Sequence, residues 1–158
     1  MEKLEQKWKL WYHSINDNNW KKNSYRKIYE LSNIYDFQYI KDIFKQDHYQ
    51  NGMFFCMKDD IFPNWEDPEN RSGGCLSFKV TSVRVMEEWN ELLLQCITNG
   101  ILNNNHEEIN GISIAPKKEF NIVKIWFKDS KFNYEESFSE KRGSLISLSN
   151  SLYKKHEF

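Results

Sequence analysis

The sequence predicts an α+β domain in which a curved, mainly antiparallel sheet of about six strands or more carries three helices on its convex face. Three observations lead there. The 158 residues run strand, strand, helix, three times over, without a residue-level repeat. Period-two and helical patterns alternate along the chain and are separated by polar turns. Six Trp, eight Tyr and eleven Phe supply enough apolar bulk for a packed core despite 28% charged residues, which argues against disorder. No low-complexity linker divides the chain, so residues 1–158 read as a single domain.

In the first unit, Leu4 to His13 alternates aromatic and apolar residues with lysines, as a strand does. Tyr25 to Leu31 is a weaker strand, and Ile34, Phe37, Ile40 and Phe44 recur at helical spacing. The second unit has strands at Met53–Met57 and Cys75–Val80. Its helix carries Val85, Trp89, Leu92, Leu93 and Cys96 on one face, with Ser82 as N-cap and Gly100 as stop. The third unit has strands at Gly111–Ala115 and Ile122–Phe127, with Ile122, Lys124 and Trp126 on one face and Val123, Ile125 and Phe127 on the other. Ser137 and Glu140 fit a capping box, and Leu145, Leu148 and Leu152 continue as a helix, weakened by Gly143. The face opposite the helices is expected to hold exposed aromatic and polar side chains.

Charge narrows the function. Lys and Arg number 22 against 23 Asp and Glu, a net charge of −1. A protein that grips long nucleic acid by its phosphates needs a basic excess, so any nucleic-acid target should be short or terminal. Cys56, Cys75 and Cys96 form no CxxC pair, and their odd number argues against a disulfide framework; Cys96 has the spacing of a buried core thiol. His13, His48, His106 and His156 are scattered, so no metal site is expected. The N-terminus shows no signal-peptide pattern and no stretch suits a membrane span, so the expected setting is cytoplasmic. Asp59-Asp60 and Glu66-Asp67 are carboxylate pairs without a nucleophile–base arrangement, which points away from an enzyme; no catalytic residue and no cofactor are expected.

The segment Pro63-Asn64-Trp65-Glu66-Asp67-Pro68-Glu69-Asn70-Arg71-Ser72-Gly73-Gly74 carries the strongest functional signal. It sets an indole face beside an acceptor-only carboxylate in a loop stiffened by two prolines, which suits a flat, cationic, hydrogen-bond-donating ring. The alternative is a tryptophan that tucks under its own loop. Trp20 also lies in polar company, whereas Trp8, Trp11, Trp89 and, by position alone, Trp126 suit core packing.

Trp8-x-x-Trp11-Tyr12, Trp20, Trp65-Glu66-Asp67 with Asn70 and Gly73-Gly74, Trp89, and Ile125-Trp126 fall in an order that resembles the eukaryotic cap-binding translation initiation factor 4E family. The similarity runs from about Leu4 to near Tyr153. It implies a cupped sheet whose concave face binds the 7-methylguanosine cap of messenger RNA in translation initiation. By this resemblance Trp20 and Trp65 sandwich the methylated base and Glu66 accepts from its N1 and N2 groups. The Trp65 backbone N–H meets O6, and Trp126 borders the N7-methyl group. Lys117 matches one of the family's basic residues for the cap phosphates, with Lys118 as a local substitute; the two also read as a solvated turn.

The resemblance is incomplete in three places. Cys75, Glu119 and Ile122 stand where the family carries basic residues, which implies a weaker phosphate grip unless Lys118, Arg71 or a C-terminal lysine compensates. On the helical back, Leu4, Ile34, Glu91 and Leu94 match the surface that binds a helical peptide of a scaffold protein, initiation factor 4G. There Gln38 replaces the family's tryptophan and Asn90 an apolar contact, which implies either a partner with altered sequence or cap binding without recruitment of the scaffold. The chain also stops at Phe158, soon after the expected third helix. The family's final strands would then be missing, the pocket open on that side, and a sheet edge uncovered. A monomer is expected, with a dimer through that edge as the alternative. A regulatory protein of the same fold, sequestering caps or partner proteins, is the competing functional reading.

Overall fold

A computed structural model of the chain describes residues 2–140, 145–146 and 150–156. Seven strands form one sheet: β1 (Lys3–Ser14), β2 (Arg26–Asn33), β3 (Gly52–Lys58), β4 (Gly74–Thr81), β5 (Ile109–Pro116), β6 (Phe120–Phe127) and β7 (Ser151–Lys155). Their order across the sheet is β2-β1-β3-β5-β6-β4-β7, and every neighbouring pair is antiparallel. Among the described residues there are three α-helices: α1 (Ile34–Ile43), α2 (Gln46–Asn51) and α3 (Val85–Ile97). This is the predicted architecture of a curved antiparallel sheet with three helices.

Alternation along the strands divides the side chains between two faces. Trp8, Leu10, Phe54, Cys56, Leu76, Phe78, Ile112, Ile114, Val123 and Ile125 turn toward the helices and pack with Phe37, Ile40, Trp89, Leu92 and Leu93. The intervening residues Phe55, Met57, Cys75 and Trp126 form a smaller cluster on the other face, joined by Trp11 and Tyr25. Trp8 and Trp89 are core residues, as their positions predict, whereas Trp11 packs edge-on against Phe62 at 5.1 Å on the second face.

Helix α1 starts at a capping box. The Asn33 side chain accepts from Tyr35 and Asp36 N–H, and the Asp36 carboxylate accepts from Asn33 N–H at 3.1 Å. Helix α3 is entered differently from the sequence reading. Ser82 opens a short 3₁₀ turn, its hydroxyl donating to the Glu119 carbonyl at 3.0 Å, and Arg84 is the cap position. The stop is Asn99, left-handed at φ 58°, with Gly100 N–H donating to Gln95 C=O at 2.7 Å and Asn99 N–H to Cys96 C=O at 3.3 Å. That pair of bonds is a Schellman motif, and asparagine tolerates the left-handed position it needs.

The third unit departs from the reading in one respect. Ser137 does not cap a helix. Its carbonyl accepts from Asn103 N–H at 2.9 Å, Ser139 N–H donates to Ile101 C=O at 2.8 Å, and Phe138 bridges to Leu102. These bonds hold residues 137–139 extended beside 101–103. Leu145 is a bend, positions 141–144 and 147–149, including Gly143 and Leu148, lie outside the described residues, and Leu152 belongs to β7. The edge of β4 is therefore paired within the chain by β7, which becomes the outer strand on that side of the sheet. The remaining helix is α2, a six-residue turn anchored by buried Tyr49, whose carbonyl accepts from Asn121 Nδ2 at 2.8 Å.

Candidate functional site

On the sheet face away from the helices, a cleft of about 530 Å³ is lined by Trp65, Cys75, Ser77, Lys124, Trp126, Leu152, Lys154, Lys155 and His156. Strand register builds its floor. Cys75 on β4 stands between Trp126 on β6 and Lys154 on β7, and Ser77 stands between Lys124 and Leu152. Trp126 is 7% exposed; its indole N–H donates to Ser113 Oγ at 2.9 Å and its ring meets Phe55 edge-on at 6.3 Å. Two anchors from separate strands thus fix the plane of this wall.

Trp65 forms another wall from a loop that its neighbours brace. The buried Asn70 donates its amide to the carbonyls of Phe62 at 3.0 Å and Asn64 at 2.8 Å, and accepts from Asn110 Nδ2 at 2.9 Å. Asp67 accepts from Phe62 N–H at 3.1 Å and from Glu69 N–H at 2.9 Å. These bonds satisfy the loop's backbone internally and leave Asp67 and Asn70 structural, while the adjacent Trp65 is 37% exposed. Glu66 is exposed too. Its charge is felt at Tyr25 on one side, where burial chiefly and then Glu66 push the phenol up to about 12. It is also felt at His156 in the cleft on the other side.

Trp20 lies outside the lining of the cleft. Its ring stacks on the fully buried His13 at 3.9 Å and 4° interplanar angle, and it is 51% exposed. His13 is in turn fixed by Ser14 C=O and Asn19 C=O, each at 2.8 Å, and by Ser24 Oγ at 3.1 Å. Tyr25 connects this corner to the cleft loop, meeting Trp20 at 6.3 Å and Phe62 at 4.9 Å. The cleft therefore brings together Trp65 and Trp126, with Glu66 next to Trp65 in sequence, while Trp20 is linked to Trp126 only through Tyr25 and Phe55.

In the sequence His156 is one of four scattered histidines with no local functional signal. It sits between the indoles, 5.6 Å from Trp126 and 6.5 Å from Trp65, with Nδ1 2.7 Å from Asn70 C=O. Burial first, with the Lys124 charge adding, holds its pKa below the usual imidazole range against the pull of Asn70 C=O and Glu66. The neutral ring is favoured in the folded state. Its contribution to stability is full above the ordinary value of about 6.5 and is lost as pH falls below it toward the folded pKa. Between about pH 7.5 and pH 5.5, the melting temperature of the protein should fall more than that of His156→Gln, as thermal unfolding at the two pH values will show.

The remaining predicted site residues fall in two places. Lys117 and Lys118 occupy the exposed turn between β5 and β6, where Lys117 N–H donates to Phe120 C=O at 2.8 Å, and they do not line the cleft. On the helical side, Leu4 and Ile34 share a groove of about 200 Å³ with Ile97 and Asn99. Gln38 is exposed on α1, and Asn90, Glu91 and Leu94 are half-buried on α3, which packs beside α1. The three cysteines are buried and reduced, as predicted for Cys96, and burial pushes the Cys75 thiol up to about 12. Among the described residues no group of three or more His, Cys, Asp or Glu side chains could hold a metal ion, and no helix is long and apolar enough to cross a membrane.

Comparison with known proteins agrees with this architecture. The isoform 4E translation initiation factor of Nicotiana tabacum is 32% identical over 138 residues, covering 80% of this chain and 65% of the relative. The corresponding Arabidopsis thaliana protein is 31% identical, covering 78% and 66%. Initiation factor 4E of Dictyostelium discoideum is 26% identical, covering 81% and 53%, so the chain spans about half to two thirds of the length of these curated relatives. Among solved structures, C. elegans eIF4E-3 in complex with the 4E-binding protein Mextli superposes with a TM-score of 0.83 at 19% identity, covering 98% of this chain and 93% of that one. Ascaris suum eIF4E-3 with m7G cap gives 0.81 at 20% identity, covering 99% and 92%. The family profile for Eukaryotic initiation factor 4E matches residues 3–157. The chain belongs to the eukaryotic initiation factor 4E family.

Proposed function

We propose that this protein binds the 7-methylguanosine cap of messenger RNA and acts in translation initiation, without catalysing a reaction. The observation that carries the reading is the cleft itself: two indoles, Trp65 and Trp126, line it, and a carboxylate, Glu66, is the residue after Trp65. Family membership supports it, as does the fold shared with a relative solved with m7G cap.

The base stacks on Trp65 and on Trp20, whose ring lies against His13 through one face and is half exposed. Stacking contributes about 1–3 kcal/mol per base. N7 methylation makes the ring cationic, which adds roughly 0.5–2 kcal/mol against an indole face. Glu66 accepts from guanine N1 and N2, and charge-assisted bonds of this kind are roughly twice as strong as neutral ones. Adenine presents an acceptor at N1 and is rejected by the same carboxylate. Trp126, held rigidly by Ser113, borders the methyl group. On the opposite side of the sheet, the α1–α3 face with Leu4, Ile34, Gln38, Asn90, Glu91 and Leu94 takes a protein partner; support comes from the shared fold with C. elegans eIF4E-3, solved in complex with the 4E-binding protein Mextli.

Retention on immobilised 7-methylguanosine triphosphate tests the reading. The protein should be held on the resin and released by free 7-methylguanosine triphosphate but not by an equal concentration of GTP. Release by both alike would remove the claim of cap specificity.

A further inference from the structure

The cleft has a basic side that the base contacts leave unused. Lys124 on β6 is in register with Ser77, and Lys154 on β7 with Cys75. Ser77 and Cys75 are two residues apart on β4 and both line the cleft, so the two lysines reach it from opposite sides of one strand. At about 4.8 Å between strands and about 3.4 Å per residue, their backbones are roughly 12 Å apart, and both long side chains can meet over β4. Lys155 lines the same cavity. Among the described residues none of the three takes part in an ion pair.

The Lys124 charge is already felt within the cleft. It opposes protonation of His156, and it draws the Cys75 thiol downward against the larger upward effect of burial. Lys117 lies beyond Pro116, whose partner Asn121 is five residues from Trp126 along β6, or roughly 17 Å at strand rise. A ligand whose base lies between the indoles therefore meets Lys124 and Lys154 well before the β5–β6 turn.

We propose that Lys124, Lys154 and Lys155 form the anion site for the phosphate chain of a capped nucleotide, which leaves the base across β4 toward β7. The proposal deepens the cap-binding reading and rests on it for the position of the base. Lysine suits the task as a compact point charge on a flexible stem, able to follow a phosphate chain that presents no fixed fork geometry. Its contribution is electrostatic and partly exposed to solvent, so it should weaken with added salt.

The test uses the full chain and the Lys124→Gln/Lys154→Gln variant, titrated with 7-methylguanosine, 7-methylguanosine triphosphate and GTP at low and high salt. The variant should lose about tenfold in affinity for the triphosphate, the scale of one to two charge-assisted contacts, and much of its salt dependence. Its affinity for the phosphate-free nucleoside 7-methylguanosine should match that of the unaltered protein, which also reports an intact fold. Undiminished triphosphate binding by the variant would overturn the proposal, as would a loss found instead in Lys117→Gln/Lys118→Gln. Failure of the base reading has a different signature: 7-methylguanosine triphosphate and GTP would bind the unaltered protein alike, while both would still weaken in the lysine variant.

Discussion

Glu66→Ala is expected to weaken binding of 7-methylguanosine triphosphate by about a hundredfold or more. The proposed role gives this carboxylate two hydrogen bonds from the guanine edge, each charge-assisted and contributing about 1.5–3 kcal/mol. Glu66 is exposed in the unliganded protein, so part of that gain is offset by water it must give up. Taking the lower end for both bonds leaves about 3 kcal/mol, which is about two powers of ten. Stability should stay within about 0.5 kcal/mol, because Arg71 bonds the Glu66 main-chain carbonyl and not its carboxylate. Glu66→Gln should lose a comparable amount, since its amide turns a donor toward guanine donors. Calorimetric titration of both variants reads the effect. Binding within threefold of the unaltered protein would mean that Glu66 does not face the base (roughly 0.7 kcal/mol).

Gly73→Ala should destabilise the fold by about 3 kcal/mol or more, at or above the usual range for overpacking. A Cβ at this position would overlap the main-chain carbonyl oxygen of Phe127, and backbone cannot rotate away as a side chain can. The residue is held on both sides: its N–H donates to Asn70 C=O at 3.0 Å, and its C=O accepts from His156 N–H at 2.9 Å. Gly73 thus locks the end of β6, the Trp65 loop and the residue after β7 against one another. Urea unfolding will measure the loss, and cap binding should fall with it because both the Trp65 wall and His156 depend on this contact. A loss under about 1 kcal/mol would show that β4 and β6 can separate there without cost.

Much of this organisation was legible in the sequence, for physical reasons that differ by element. Strands β3, β4 and β6 are short runs rich in apolar residues, and in β6 period two already sets Trp126 on the face opposite Val123, Ile125 and Phe127. The spacing of Val85, Trp89, Leu92 and Leu93 defined α3 in the same way. Helix α2 was missed because Gln46–Asn51 places one buried side chain, Tyr49, in six residues, too few for any period to show. Strand β7 was misread because Leu145, Leu148 and Leu152 satisfy helical spacing. The competing signal was the alternation of Leu152, Tyr153 and Lys154, with Tyr153 packed toward the core and its neighbours on the cleft side.

The site was legible to a similar degree. Trp65, Glu66 and Gly73-Gly74 stood out because an indole and a carboxylate in a rigid loop lack any packing period. Trp126 read as core by position, and it is indeed nearly buried while lining the cleft. His156 and Lys124 carried no local signal, and Lys154 only that of a C-terminal lysine able to offset a missing phosphate contact. They become neighbours only when β7 pairs with β4, a contact more than seventy residues apart in sequence. The basic residues closest to the family pattern, Lys117 and Lys118, were the visible ones, yet the hairpin carries them to its far end.

The most direct test of the central claim is a tryptophan-fluorescence titration comparing 7-methylguanosine triphosphate with GTP. Trp20 and Trp65 are both substantially exposed before binding, so stacking a base on them should quench their emission. The two nucleotides share phosphates and hydrogen-bonding edge and differ in the positive charge of the methylated ring. A cation facing two indoles gains about 1–4 kcal/mol in total, so the methylated nucleotide should bind about fivefold tighter or more, with marked quenching. Equal affinities for the two nucleotides, or no quenching with either, would contradict the account.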